Sequence, residues 1–284
     1  MTFTNGDATL GFHIIGQGSP IIFLTGGPGF SAQYLDEVVP YLYGVSGIML
    51  DQRGTGASAS ISLTQQTMTI ANCVSDIEAL RQTLGFDSLT LFGHSFGGFM
   101  AMAYANAHPA NVRALLLIDS APPDLALEQT MEPLRLARLS AAQRAQVIAL
   151  RAAPAADPAE AVRAQMRAML PAFFADPANI DSFERHIDSP DEYVPAVSVA
   201  LTPDLIANSR LGSLRGLRVP TLVLFGDQDP GHLIALHALQ AWFTSPTLVT
   251  IPGAGHYPWI EQPKAFYDAV RVFLTAQGLV APER

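Results

Sequence analysis

The sequence predicts an α/β protein in which a mostly parallel, twisted sheet carries helices on both faces and is interrupted by a helical insertion. Short apolar runs alternate with helical patterns up to residue 118 and again after residue 218. Almost purely apolar runs, such as 21–24, are typical of strands buried on both faces, and their alternation with helices indicates a parallel sheet. No convincing buried strand is found over 124–215. The predicted division is a core over 1–120, a helical cap over 121–216 and the rest of the core over 217–284.

The first half of the chain supplies most of the predicted strands. We predict strands over 8–15, 20–24, 45–50, 88–92 and 112–118. Helices are predicted over 31–42, with Ser31 as its cap, over 69–84 and over 96–107. Apolar residues in 69–84 recur at spacings of three and four, which is the helical period, and Gly85 is a plausible stop.

The second half begins with the predicted cap. Prolines separate helical stretches near 124–139, 140–152, 158–174 and 203–211. The core pattern then resumes, with strands predicted over 219–225 and 247–251, a helix ending near 243 and a last helix over 263–276.

Charge and composition exclude several classes of function. The 284 residues include 16 basic and 25 acidic ones, and this balance argues against nucleic acid or an anionic membrane surface as partners. No apolar stretch approaches the ~20 residues of a membrane span, and the N-terminal residues lack a signal-peptide pattern. We therefore expect a soluble, cytoplasmic protein. Its single cysteine, Cys73, excludes an internal disulfide and a thiolate metal cluster, and no cofactor or metal is predicted.

A possible nucleophile lies between a predicted strand and a predicted helix. Residues 93–97 read Gly-His-Ser-Phe-Gly and match the G-x-S-x-G nucleophile elbow. Such a turn holds the serine in a strained conformation, and the small residues around it let the strand and the helix pass close together. Ser95 is therefore the candidate nucleophile.

Serine needs a base, which is usually a histidine. Among seven histidines, His256 alone lies in a Gly-rich loop directly after a strand near the C-terminus. Loops at the carboxyl ends of parallel strands share one edge of a sheet, so His256 can meet Ser95 there. His94 is adjacent to the nucleophile but is expected to point away from it and to be structural.

The carboxylate that orients the base has three candidates. Asp229 follows a predicted strand at Gly-x-x-Asp spacing and gives the chain order Ser…Asp…His. Asp227, in the same loop, is expected to support it. Asp119 ends the strand before the insertion and is the alternative acid.

Acyl transfer also needs hydrogen-bond donors for the oxyanion. The N–H of Phe96, which follows the nucleophile, is one candidate. We expect the other from Gly27, in the Gly-rich loop after the second apolar strand, since Pro28 has no N–H.

These motifs resemble the α/β-hydrolase superfamily and, within it, the proline iminopeptidase (prolyl aminopeptidase) branch. The branch is marked by His-Gly-Gly-Pro-Gly, which is Thr-Gly-Gly-Pro-Gly at 25–29, and by Asp-Gln-Arg-Gly-x-Gly-x-Ser, which 51–58 match in full. Its elbow resembles 93–98, and its histidine loop resembles 253–256. The resemblance implies an α/β-hydrolase fold and a cofactor-free serine hydrolase with a Ser-His-Asp triad. Asp51 and Arg53 look suited to fastening loops near the oxyanion site.

The cap departs from that branch. Iminopeptidases bind the substrate amine with cap glutamates, often beside a tryptophan, and this cap contains no tryptophan. Its acidic residues include Asp188 and the substrate-binding candidates Asp191, Glu192 and Asp204. A small carboxylic ester, a lactone or a short peptide with a free N-terminus therefore all stay open as substrates, and a non-catalytic ligand receptor is the alternative outside enzymes. Seven apolar residues suggest a hydrophobic lid: Leu134, Leu136, Met166, Met169, Leu170, Phe173 and Phe174.

Overall fold

Eight segments form strands in the computed structural model, which describes residues 1–212 and 214–282. The strands are β1 (Thr2–Asn5), β2 (Ala8–Gly16), β3 (Ser19–Leu24), β4 (Val45–Leu50), β5 (Leu89–His94), β6 (Val112–Ile118), β7 (Thr221–Gly226) and β8 (Thr247–Ile251). They make one sheet in the order β1-β2-β4-β3-β5-β6-β7-β8. Only β1 and β2 pair antiparallel with their neighbours in it, so the predicted mostly parallel α/β sheet is confirmed.

The helices flank this sheet and fill the segment between β6 and β7. They are α1 (Ile70–Thr83), α2 (Phe96–Ala107), α3 (Glu128–Arg138), α4 (Ala141–Ala152), α5 (Pro158–Met169), α6 (Ile180–Asp188), α7 (Pro195–Ala207), α8 (His232–Trp242), α9 (Pro258–Glu261) and α10 (Pro263–Ala276). Helices α3 to α7 all lie between β6 and β7. In the described part of the chain, none of the helices combines the length and the apolar character that crossing a membrane requires.

The core lies on both faces of the sheet because successive strand residues point in opposite directions. Leu115 and Leu117 of β6 pack with α1 and α2 in one apolar cluster. Leu116 and Ile118 of the same strand pack on the other face with Phe266, from α10. Strands apolar on both faces produce this arrangement, so the continuous apolar runs predict the layers correctly.

The structure differs from the predicted elements in four places. The expected helix over 31–42 is instead two 3₁₀ helices, Ala32–Leu35 and Val39–Tyr41; Pro40 lacks the N–H that a continuous helix needs, and Ser31 makes no side-chain cap. Two elements were not predicted from the sequence: β1, which forms a hairpin with β2, and α6. The predicted helix over 203–211 is α7, which begins at Pro195, accommodates Pro203 and ends at Ala207.

The 51–58 loop fastens the parts of the core around the carboxyl end of β4. The Asp51 carboxylate accepts hydrogen bonds from the amides of Ala32 and Ala57, both at 2.9 Å. Arg53 makes a bidentate ion pair with Asp76 of α1, at 2.8 and 2.6 Å, and both side chains are buried. Burial raises the pKa of Asp76, and the hydrogen bonds from Arg53 oppose that rise.

The buried Arg53–Asp76 pair yields a stability prediction. Arg53→Met leaves the Asp76 carboxylate buried without its cation, so we expect a loss of about 3–5 kcal/mol in the free energy of unfolding. Urea denaturation at neutral pH measures it. The control is Lys264→Met, which breaks the exposed ion pair with Asp268 and should cost less than about 1 kcal/mol. Equal losses in the two variants would show that the buried pair contributes no more to stability than the exposed pair does.

Candidate active site

Ser95 occupies the turn between the last residue of β5 and the first residue of α2. Its backbone has φ 54° and ψ −121°, a region that residues with a side chain rarely adopt. The strain is held by hydrogen bonds on both sides, since Ser95 N–H donates to Ile118 O and Ser95 O accepts from the Ala121 amide. The turn therefore fixes Ser95 where β5 and β6 end.

Glycines around Ser95 allow a very close approach of backbone. A Cβ on Gly97 would lie 2.0 Å from the carbonyl oxygen of Leu24, at the end of β3. One on Gly98 would lie 2.1 Å from Ser120 Oγ, and one on Gly93 would lie 2.4 Å from Gly97 O. Only glycine fits at these positions, and the start of α2 therefore lies directly against the end of β3.

The structure joins Asp229 and His256 by a hydrogen bond. The Nδ1–H of His256 donates to Asp229 Oδ2 at 2.8 Å, and both residues are buried. Asp229 lies three residues after β7 and His256 five residues after β8, as the shared sheet edge requires. Because Nδ1 carries the proton in this bond, Nε2 is the basic nitrogen of the ring.

Contacts with the segment between α5 and α6 hold the histidine loop in place. The His256 amide donates to Phe173 O at 2.7 Å. The Glu261 carboxylate accepts from the amide of Gly255 at 2.6 Å and from those of Ala175 and Asp176 at 2.8 Å. Glu261 therefore joins the loop that contains His256 to the segment between α5 and α6.

His94 is buried and belongs to a hydrogen-bond chain. Gly26 N–H donates to Tyr34 Oη at 2.6 Å, the Tyr34 hydroxyl donates to His94 Nδ1 at 2.8 Å, and His94 Nε2–H donates to His256 O at 3.0 Å. Burial, and then the charge of the nearby His256, lower the pKa of His94, so the neutral ring that this chain requires is favoured. The chain links the Gly-rich loop to the histidine loop.

The two predicted oxyanion donors are the backbone amides of Gly27 and Phe96. The Gly26 amide is engaged by Tyr34, so within the Gly26–Gly27 pair the amide of Gly27 is the one left for a ligand. The Phe96 amide is the first in α2, where a helix offers N–H groups without helical acceptors. Thr25, which stands where the iminopeptidase branch has histidine, donates to Phe30 O and accepts from Gln52 Nε2.

These groups surround one cavity of about 320 Å³. Its wall contains Ser95, Asp229, His256, Gly27 and Phe96. Apolar side chains form much of the remaining surface: Phe30, Leu125, Met131, Met166, Phe173, Phe183, Leu205 and Phe225. The structure thus brings all the predicted triad and oxyanion residues to a single site.

Residues 19–263 match the protein family described as alpha/beta hydrolase fold. The chain belongs to this family. The proline iminopeptidase of Neisseria meningitidis serogroup A (strain DSM 15465 / Z2491) is 36% identical to this protein over 103 residues, which are 36% of this chain and 32% of that protein. The chain thus spans only about a third of that relative's length.

Two solved structures show the same fold over nearly the whole chain. The proline iminopeptidase-related protein from Thermus thermophilus has a TM-score of 0.73 and 25% identity, covering 99% of this chain and 97% of that one. A thermophilic esterase from Thermogutta terrifontis has a TM-score of 0.70 and 25% identity, covering 98% of each chain. The predicted α/β-hydrolase fold and the likeness to proline iminopeptidases are both confirmed.

Two charged residues of α3 that were not predicted from the sequence, Glu128 and Arg135, also line the cavity. Glu128 Oε2 pairs with Arg135 Nη1 at 2.5 Å, and the Arg135 guanidinium carbon lies 5.6 Å from the ring centroid of Phe173. Burial lowers the pKa of Arg135, but Glu128, together with the charges of Asp229 and Glu132, raises it by more, so the pKa is raised overall. Their spacing of seven residues, two helical turns, is the one sequence signal that could have suggested the pair.

The predicted cap acids lie elsewhere. Asp191 is exposed, Glu192 pairs with His186, and Asp204 accepts from the Ile70 amide at the start of α1. None of the three candidates Asp191, Glu192 and Asp204 belongs to the described lining of the cavity.

The predicted hydrophobic lid is only partly formed. Met166 and Phe173 line the cavity. The five others do not: Leu136 and Met169 pack among α3, α4 and α5, Leu170 and Phe174 join the core, and Leu134 is exposed.

Among the residues that the structure describes, one group of side chains has the donor atoms for a cation. Asp119, Asp229 and His256 each offer an atom, and these atoms lie within 4.8 Å of one another. A metal on His256 Nδ1 would have to displace the proton that is donated to Asp229, since a ligating imidazole nitrogen carries no proton. The arrangement therefore suits a hydrogen-bonded Asp–His pair better than a metal ligand set.

The Tyr34 hydroxyl yields the prediction of this section. Tyr34→Phe leaves the buried Gly26 amide and His94 Nδ1 without a partner, so we expect a loss of roughly 1–3 kcal/mol in the free energy of unfolding. Chemical denaturation measures it. Tyr41→Phe, at a residue that is 60% exposed, is the matched control and should change little. A Tyr34→Phe variant as stable as its control would show that these hydrogen bonds do not contribute to the stability of the fold.

Proposed function

We propose that this protein is a serine hydrolase that cleaves a small carboxylic ester or lactone through an acyl-enzyme. The observation that carries the proposal is the 2.8 Å hydrogen bond between Asp229 and His256 in the cavity that Ser95 also lines. Histidine held in this way is the base that a serine nucleophile needs.

The reaction has two halves. His256 Nε2 takes the hydroxyl proton as Ser95 Oγ attacks the substrate carbonyl carbon, and Asp229 stabilises the imidazolium. His256 then gives that proton to the leaving oxygen as the acyl-enzyme forms. In the second half His256 takes a proton from water as the water oxygen adds to the acyl carbon. The bond between that carbon and Ser95 Oγ then breaks, His256 returns the proton to Ser95 Oγ, and the carboxylic acid is released.

The amides of Gly27 and Phe96 bind the oxyanion in both halves. A preorganised donor of this kind is worth about 10²–10³ in kcat in other serine hydrolases. Here the strained Ser95 turn and the N-terminus of α2 place the Phe96 amide beside the nucleophile.

The charges in the cavity favour a substrate without a free amine. Glu128 is the carboxylate that α3 brings to the wall, and Arg135 already neutralises it. A substrate ammonium would have to compete with a guanidinium on the same helix for that carboxylate. An uncharged acyl group needs no such exchange and fits the apolar remainder of the wall.

An N-terminal prolyl aminopeptidase is the second candidate, because the chain is 36% identical to a proline iminopeptidase over 103 residues. In that case Glu128 would bind the substrate amine, and Arg135 would have to move away from it. Residues 121–216 would form a cap over the core of 1–120 and 217–284 in either case. We also predict that the protein acts on a small-molecule substrate and that it is located in the cytoplasm.

The nucleophile is tested by covalent labelling. We expect a fluorophosphonate probe to label the wild-type protein stoichiometrically and to leave Ser95→Ala unlabelled. The control is Ser120→Ala, which removes a neighbouring cavity serine and should keep the label. Hydrolysis of a short-chain p-nitrophenyl ester should fall by at least about 10³-fold in Ser95→Ala.

Absence of labelling in the folded wild-type protein would contradict hydrolase activity and favour a ligand receptor. Equal labelling of Ser95→Ala would assign the nucleophile to another residue.

The substrate class is tested with two esters that differ only in the amine. The p-nitrophenyl esters of cyclopentanecarboxylic acid and of proline share ring size and leaving group. We expect the cyclopentane ester to have a kcat/KM at least about tenfold higher, because the Glu128–Arg135 pair offers no carboxylate to an ammonium. Faster cleavage of the proline ester, abolished by N-acetylation, would establish the aminopeptidase instead.

A further inference from the structure

Asp119, which the proposed mechanism does not use, is buried beside the triad. It follows β6, has φ 39°, and is 1% exposed. Its amide donates to Leu224 O at 2.8 Å, and its Oδ1 accepts from the Gly226 amide at 3.0 Å. These bonds hold Asp119 against the end of β7. The last residue of β7, Gly226, is three residues before Asp229.

One oxygen on each of the two carboxyl groups lacks a partner. Among the described residues nothing hydrogen-bonds to Asp119 Oδ2 or to Asp229 Oδ1, and both atoms are shielded from solvent. A buried acceptor without a donor is unfavourable, and two ionised carboxylates offer only acceptors to each other. A single proton placed between these two oxygens satisfies both.

The surrounding charges favour a proton on Asp119. Burial, and then the charge of Asp229, raise the pKa of Asp119 well above its usual range, and Glu261 acts in the same direction. Asp229 instead accepts the Nδ1–H of His256. Of the two neighbouring buried carboxyl groups, Asp119 is therefore the one to which we assign the proton.

We propose that Asp119 is a protonated positioning residue whose Oδ2–H donates to Asp229 Oδ1 and thereby holds Asp229 Oδ2 on His256 Nδ1. The inference rests on the proposed function, in which Asp229 orients the base. It extends the predicted triad by a neutral carboxylic acid rather than by a second carboxylate. Asp119 is then not the alternative acid of the triad but the support of the acid.

Two substitutions separate a neutral donor from a carboxylate. Asn at position 119 can place an N–H donor towards Asp229, and Ala cannot. We expect Asp119→Asn to retain most of the wild-type kcat, and Asp119→Ala to lose about 10–100-fold in kcat with KM nearly unchanged. If Asp119→Asn loses as much as Asp119→Ala, an ionised Asp119 is required and the proposal is overturned.

The pH dependence of stability tests the proton without any activity assay. Asp119 keeps its proton in the folded state, whereas in the unfolded chain it ionises above about pH 4. The folded state therefore binds more protons, and stability is lost as pH rises from the unfolded pKa towards the folded one. Relative to Asp119→Asn, the unfolding equilibrium constant of the wild type should rise by up to about tenfold per pH unit in that window. The exposed Asp87→Asn variant is the control and should follow the wild type.

The outcomes distinguish this inference from the proposed function. A wild-type protein that no fluorophosphonate labels defeats the hydrolase, while the unfolding comparison still reports the Asp119 proton. Parallel stability curves for the wild type and Asp119→Asn overturn the inference even if Ser95 is labelled. Activity that EDTA removes and a divalent cation restores would also overturn it, since a metal would then hold the two carboxylates.

Discussion

The close approach of α2 to the end of β3 is the constraint on which the rest of the site depends. Gly97 lies so near the Leu24 carbonyl that a side chain is impossible there, and this contact places the turn of Ser95 beside the loop that begins at Thr25. The proposed nucleophile and the two proposed oxyanion amides therefore lie on segments that one backbone contact holds together. Hydrogen bonds through Tyr34 join that loop to His94 and to the carbonyl of His256. Groups fixed by backbone contacts in this way are what electrostatic preorganisation needs.

Local sequence predicted the elements that are buried on both faces or strongly periodic. The strand at 112–118 and the helix at 96–107 have the predicted bounds, because uninterrupted apolar runs and a glycine-rich start leave few alternatives. Prediction failed for segments that contain a proline, because tertiary packing decides there whether a helix continues. The segment 31–42 is apolar enough for a helix, but it contains Pro40 and forms two short 3₁₀ helices instead. Helix α7 shows the reverse, since Pro203 lies within it and did not end it.

The candidate site divides in the same way. Ser95, Asp229 and His256 could be predicted because parallel strands deliver their following loops to one edge, so chain order and loop position suffice. The residues that surround this predicted triad could not be predicted in the same way. Tyr34 and His94 are sixty positions apart, and the Glu128–Arg135 pair lies on a helix whose orientation over the cavity no local pattern encodes. Such partners depend on how the segment between β6 and β7 packs on the core, and that packing is a property of the whole chain.

The electrostatics of the cavity connect these observations. Among the described residues, three carboxyl groups and one guanidinium line the cavity that Ser95 also lines, and three ionised carboxylates there would oppose an oxyanion. Glu128 is paired with Arg135 in the structure. In our proposal, Asp229 is offset by the imidazolium that forms on His256 during the reaction, and Asp119 by its own proton. The two backbone amides would then supply the field at the reacting carbonyl. A neutral acyl group suits this proposed balance, because a charged substituent would have to enter the largely apolar part of the wall without a counter-ion and bear the full desolvation cost.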